Sequence, residues 1–392
     1  MTSGVPALLR RPEEPRATFL ELFFDLVFVF ALAALSTGLL KNLSWYGAFQ
    51  TLVLLLALWG VWTATAGLTD RMNPQRPLVQ LLVLATMFGT LLMAAAAPEA
   101  FNDRGLFFAV TLVVTQTGGS VIAAFALRSH EAWRAFARVL FWHCVSAVPW
   151  IAGAVTYGVA RSVLWALAVV VANTAVALGL PTPWLGRAYM RPEFAISGEH
   201  VAERYRQLFI IGLGELVLVT GLTVSGSGFG LARIAAVVVA FATTALLWRI
   251  YIHRAGGLLA VALAAATDPV RASILALNAH LVMLAGLVPS AIAVELVIDH
   301  PVGHTQPAWI AVILGGPGLF LVGRSMFEYA VFDRVSGDRV VGLILLAVGS
   351  PVMFFLPPLA VAVVPALVLA WIAVSDAMRA RGRPPESAAP PG

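Results

Sequence analysis

Two carboxylates interrupt an otherwise apolar stretch, TFLELFFDLVFVF at residues 18–30. Glu21 and Asp25 are four residues apart, so a helix puts them on one face. The spacing from Thr18 to Glu21 is that of a capping box. That leaves Glu21 two roles, closing the helix N-terminus or joining Asp25 in a polar path. Asp25 lies roughly 10 Å past the cap at about 1.5 Å per residue. A charge at that depth of a bilayer costs about 2.5–3.5 kcal/mol, so it must be paired, protonated or in contact with water. Glu215, in GLGELVLV, repeats the pattern, with Gly212 and Gly214 positioned to admit a close neighbour or a cavity. His280, in ALNAHLVMLAGLVP, is a third deep polar group. It reads as a carbonyl-bonded packing histidine or, beside a carboxylate, as a proton relay. Asp25, Glu215, His280 and Glu21 are therefore the candidates for a proton or substrate path. Hydrogen-bonded packing groups are the alternative. His200, Glu203 and Arg204 form a charged set that reads as a gate or as an anchoring collar.

The elements that would position these residues are membrane-spanning helices. Of 392 residues, 60% are hydrophobic and 11% charged, less than half the charge of a typical soluble chain. The expected class is all-α, an integral membrane protein of twelve spans. Their limits are 18–40, 47–69, 77–97, 105–127, 136–157, 160–180, 205–225, 229–252, 272–298, 307–328, 339–356 and 358–376. Residues 254–268 are a short apolar run that could extend the eighth span. Of the 25 Lys and Arg, 21 fall on the segments that alternate with the N-terminus. By the positive-inside rule both termini are then cytoplasmic. The first apolar run is too long for a signal peptide and is expected to remain as a span. Basic residues occur a few at a time between spans, which argues against nucleic-acid binding. A single cysteine, Cys144, excludes an internal disulfide and a cysteine-based metal site.

The expected organisation is a polar tail 1–17, a six-helix half 18–180 and a cytoplasmic linker 181–204 with a short helix, which Ser197 would cap. A second six-helix half 205–376 and a disordered tail 377–392 follow. Three short matches keep the same order in both halves. DLVFV at Asp25 pairs with ELVLV at Glu215, GLFF at Gly105 with GLFL at Gly318, and WGVW at Trp59 with WRIY at Trp248. They suggest a parallel internal repeat. Pro149, Pro289, Pro317 and Pro351 mark expected helix irregularities, and Gly315–Gly318 the strongest break. His143, His253, Arg249, Arg324 and Glu328 are expected near span ends, with Arg324 and Glu328 paired at i,i+4. Glu295, Asp299, His300 and His304 have a metal-like spacing, but Pro301 interrupts them and no metal site is assigned.

Two motifs carry a family resemblance. ELFFDLVFVFA at 21–31 resembles the opening signature of the bacterial low temperature requirement A (LtrA) family. His200-x-x-Glu-Arg, followed by LFIIGLGE at 208–215, resembles its second signature, HxxERxxLFxIIxLGE. The Trp-rich second span, Ala279-His280 and His300-Pro301 are also similar, and the likeness runs over most of residues 15–376. Arg206, where a small residue is expected, and Thr63–Gly67, which lacks a polar Asn/Tyr-rich end, depart from the pattern. Arg206 would tighten the collar. The resemblance implies a polytopic protein of the bacterial cytoplasmic membrane, tied by name to growth in the cold, and no substrate. The leading expectation is a secondary transporter for a small solute or ion, with proton coupling through the buried acids. The alternative is a non-transporting structural or regulatory membrane protein. A lipid-acting enzyme, with Glu295–His304 as its only candidate site, is the weakest reading. Partners are membrane lipid and that solute, and no cofactor is expected.

Overall fold

The computed structural model describes residues 8–10, 17–177, 179–186, 198–253, 255–381 and 387–390. These residues are almost entirely helical. In chain order the helices are α1 (Phe19–Lys41), α2 (Trp45–Arg71), α3 (Pro77–Ala96), α4 (Gly105–Ala126), α5 (Trp133–Ala154) and α6 (Gly158–Ala177). There follow α7 (Gly198–Ser227), α8 (Leu231–Ile252), α9 (Ala255–Ala265), α10 (Pro269–Asp299), α11 (Pro307–Phe332), α12 (Gly337–Gly349) and α13 (Pro358–Ala380). Among the described residues, 12 helical segments are long and apolar enough to cross a membrane. The chain is a multi-pass membrane protein. In hydrocarbon a helix satisfies its own backbone groups, so apolar runs of this length settle as helices.

The chain forms two compact units, Met1–Arg204 and Tyr205–Gly392. In the first, α1 packs on α2 and α3, α4 to α6 pack in sequence, and α2 also lies on α6. The second is centred on the α10–α11 pair, with α13 on α8. The boundary falls inside α7. Residues 198–204, expected within a linker, are instead the first turns of that 30-residue helix. Ser197 and the middle of the expected linker, 187–197, lie outside the described residues. At the other end α13 continues to Ala380, so 377–380 are helical rather than disordered. Ala389 N–H donates to Val331 O at 3.0 Å. Near the N-terminus Leu9 bridges Met72, and Arg10 N–H donates to Arg71 O. That short extended segment fixes Arg10 against the end of α2.

Helix termini in the first unit are closed by a buried arginine. Arg161 Nε donates to Gly153 O and Thr156 O, Nη2 to Ala154 O, and Nη1 to Ala100 O and Asn102 O. It satisfies the carbonyls that the end of α5 leaves without intrahelical partners. In the second unit Arg324 does the same for α8, donating to Ile250 O and His253 O. Arg324 is 1% exposed, so it is not interfacial, and it does not pair with Glu328. Glu328 instead meets Arg339 at 3.1 Å.

The expected break at Gly315–Gly318 is absent: α11 runs unbroken through Pro317, as α10 does through Pro289. The glycines serve packing. A Cβ on Gly286 would lie 2.7 Å from Gly316 O, and one on Gly323 would lie 2.6 Å from Met283 N. The two backbones therefore touch, as small residues permit in membranes. By contrast, an added Cβ at Gly214 meets nothing within 4 Å among the described residues, so no close helix contact is made through it. The paired sequence motifs do not occupy equivalent places either. Gly105 opens α4 while Gly318 lies mid-α11, and Asp25 is the seventh residue of α1 while Glu215 is the eighteenth of α7.

Gly323→Ala is expected to lower stability by about 1–3 kcal/mol through overpacking. Thermal unfolding in detergent checks this, with Gly318→Ala, which meets open space, as the neutral comparison.

Candidate functional site

The charged residues of the two sequence signatures meet in the first unit. Glu21, in the first turn of α1, uses its oxygens separately. Oε2 accepts from Thr18 N–H at 2.7 Å and from the Thr18 hydroxyl at 3.0 Å, closing the helix end. Oε1 lies 2.9 Å from His200 Nε2. Capping and network roles are thus both filled by one side chain. On its other edge, His200 Nδ1 is 3.1 Å from Asp70 Oδ1, near the end of α2. Arg10 Nη1 is 2.9 Å from His200 Nε2, donates to Thr69 O, and lies 3.6 Å from Glu21 Oε1. The imidazole is therefore held between two carboxylates and a guanidinium, and is 1% exposed.

One turn along each helix sits the second pair. Asp25 is fully buried. Its Oδ1 accepts from Arg204 Nη2 and from Trp62 Nε1, each at 2.8 Å. The i,i+4 spacings in α1 and α7 match, so Glu21 and Asp25 on one helix face His200 and Arg204 on the other. The Arg204 guanidinium also lies over the Trp62 ring, 5.5 Å from its centroid. Trp62 stacks on Trp59 at 4.9 Å, and Phe28 of α1 flanks both rings. This aromatic wall excludes water and strengthens the ion pair. Asp25 Oδ2 and Arg204 Nε and Nη1 are buried without a hydrogen-bond partner among the described residues. Glu203, the third member of the expected collar, stands beside the cluster, and its Oε2 accepts from Ala17 N–H at 3.1 Å. Arg206 is exposed.

The other expected path residues lie in the second unit. Glu215 is buried and makes no hydrogen bond or ion pair among the described residues. His280 does not meet a carboxylate. Its Nδ1 is 2.7 Å from Ala276 O, an acceptor only, so Nδ1 carries a hydrogen there, and Nε2 faces the Tyr251 hydroxyl at 3.2 Å. The ring is stacked on Tyr205 and edged by Phe327 and Tyr251. That is the packing reading of His280. No described His, Cys, Asp or Glu residues gather as a metal site. Asp299 accepts from Ser227 and His300 lies against Trp309.

Three members of the cluster escape a reading of the sequence. Asp70 resembles a loop charge beside Arg71, Arg10 counts only toward the charge bias, and Trp62 belongs to a Trp-rich span with no stated partner. Trp62 carried the best signal, since a buried indole N–H requires an acceptor.

A bundle of spanning helices with a buried charge cluster at the end of α2 defines a polytopic helical membrane protein. A model of the bacterial low temperature requirement A (LtrA) protein family matches residues 16–374, and the chain belongs to that family. It is similar to an uncharacterized protein of Rhizobium meliloti (strain 1021), 33% identical over 372 residues, covering 92% of this chain and 89% of the relative. No solved structure matches it.

Arg204→Gln leaves Asp25 buried without its cation and is expected to cost about 3–5 kcal/mol, whereas the paired Asp25→Asn/Arg204→Gln replacement should recover much of that loss. Thermal unfolding of the single and double variants in detergent measures the difference.

Proposed function

We propose that this protein is a proton-coupled secondary transporter of a small solute or ion, with the Glu21–His200–Asp70 group as its proton-handling site. The observation that carries the reading is the crowding at His200 Nε2, which lies 2.9 Å from both Glu21 Oε1 and Arg10 Nη1. A protonated Nε2 donates to Glu21 and repels Arg10. An unprotonated Nε2 accepts from Arg10 and repels Glu21 unless the carboxyl holds the hydrogen. One arrangement of heavy atoms thus supports two placements of a proton. In this reading Asp25 and Arg204 are the pair that opens when solute passes, their unpartnered atoms being the ones it would meet. The termini face the cytoplasm, the surrounding partner is lipid, and no covalent chemistry is catalysed.

The alternative reading is a non-transporting membrane protein in which the cluster clamps α1, α2 and α7. The complete burial of Asp25 between Arg204 and Trp62 favours it for that pair alone. It gives no reason for the competing contacts at His200.

Purified protein in liposomes with a trapped pH dye, under a potassium diffusion potential, tests the proposal. Wild type is expected to move protons, and His200→Gln and Glu21→Gln, if monodisperse and correctly folded, are expected to lose that movement. Equal flux in wild type and folded variants, or none in wild type, would contradict it.

A further inference from the structure

The first unit holds a second polar locus, on a different face of α2. Gly60 precedes Trp62 by two residues, which turns it about 200° away from the ion pair. A Cβ on Gly60 would lie 3.6 Å from Gln116 Nε2 of α4 and 3.9 Å from Asn173 Oδ1 of α6. Two amide side chains therefore converge on a notch that the missing side chain leaves open. Gln116 makes no side-chain hydrogen bond among the described residues. Asn173 spends Nδ2 on Val169 O at 2.9 Å, which leaves Oδ1 without a donor. Gly60, Gln116 and Asn173 are all half-buried, although Gly60 and Gln116 lie midway along their helices. The two amides thus flank one half-buried position, open on one side.

The polar character continues along α4. His143, midway along α5 and buried rather than interfacial, sets Nδ1 at 3.1 Å from Ser120 Oγ and 3.3 Å from Gln116 O. Among the described residues no charged side chain is hydrogen-bonded or ion-paired to either amide. Amide groups at hydrocarbon depth are costly unless something bonds to them. A charged occupant would find no countercharge there. Whichever way each amide is turned, the pair offers both a donor and an acceptor.

We propose that Gly60, Gln116 and Asn173 form an intramembrane binding locus for an uncharged solute that both donates and accepts hydrogen bonds, such as a polyol or a urea-like amide. The proposal does not rest on proton handling at His200, and it stands or falls separately. Gly60 is the specificity-determining position, because a bulky side chain there would fill the notch, whereas a cysteine only narrows it. The Cβ distances are ordinary van der Waals contacts, so Gly60→Ala and Gly60→Cys keep the fold.

Cysteine labelling tests it. In a Cys144→Ser background, Gly60→Cys, Gln116→Cys and Asn173→Cys are placed singly in proteoliposomes. They are treated with a membrane-impermeant methanethiosulfonate, alone and with glycerol, urea or choline. Val114→Cys, at an exposed position of α4 (63%), serves as the lipid-facing control. The proposal expects all three cysteines to react faster than Val114→Cys, with glycerol or urea slowing them and choline not. Rates no faster than the control would overturn it. So would rates that glycerol and urea leave unchanged, or slowing by choline to the same degree. Because Gly60→Cys retains both amides, the test remains decisive if either amide replacement fails to fold.

Discussion

A carboxylate that stays ionised among apolar helices must be met by a cation, and the architecture of the first unit follows from how Asp25 meets one. Asp25 obtains its cation from Arg204, 179 residues later in the chain. The link ties the beginning of α7 to α1, with Trp62 of α2 as the third support. An attraction in low dielectric is strong, but desolvation offsets most of it, so the pair specifies an arrangement more than it stabilises one. Glu21 and His200, one turn away on the same two helices, use the register that the pair has set. The family signatures thus correspond to two faces of one contact.

The same economy governs the other buried arginines. Arg161 and Arg324 are neither loop charges nor ion-pair partners in the main. Each turns its guanidinium to the open carbonyls at the end of a neighbouring helix. Five donors in a planar fork suit such a cluster of acceptors. A helix terminus inside a membrane protein has little water to call on, and a long cationic side chain supplies the missing donors. In the second unit Arg339 and Asp376, at 3.0 Å, show the more familiar ion-paired solution.

The helices themselves were legible because hydrophobic length sets them directly. Asp25 was legible as a deep acid, and the i,i+4 spacing of His200 and Arg204 as one helix face. Their partners were not. Which acid meets which base depends on tertiary packing, and nothing local in the RRPEEPR tail or in the pair Asp70–Arg71 states that Arg10 and Asp70 reach His200. Prolines and glycines misled for a related reason. Gly315–Gly318 looks like a helix break in isolation, yet α11 runs through it, and Gly316, with Gly323, brings a second helix into backbone contact. His280 and Glu215 were grouped with Asp25 on their depth in apolar runs and on a short motif match. His280 is instead satisfied by a carbonyl and a tyrosine hydroxyl, and Glu215 has no partner among the described residues. Gln116 and Asn173 gave no signal, since uncharged amides in an apolar run do not stand out until two of them converge.

The central claim is that the group around His200 holds one proton that can change place. Nitrogen-15 NMR of histidine-labelled protein in bilayers reads this directly, with the His200 ring signals assigned by their loss in His200→Gln. The account predicts that the Nε2 signal moves between protonated and unprotonated positions as the bathing pH is varied, while the fold is kept. An Nε2 signal fixed at every pH at which the protein stays folded would contradict it, and would leave the cluster as a static clamp.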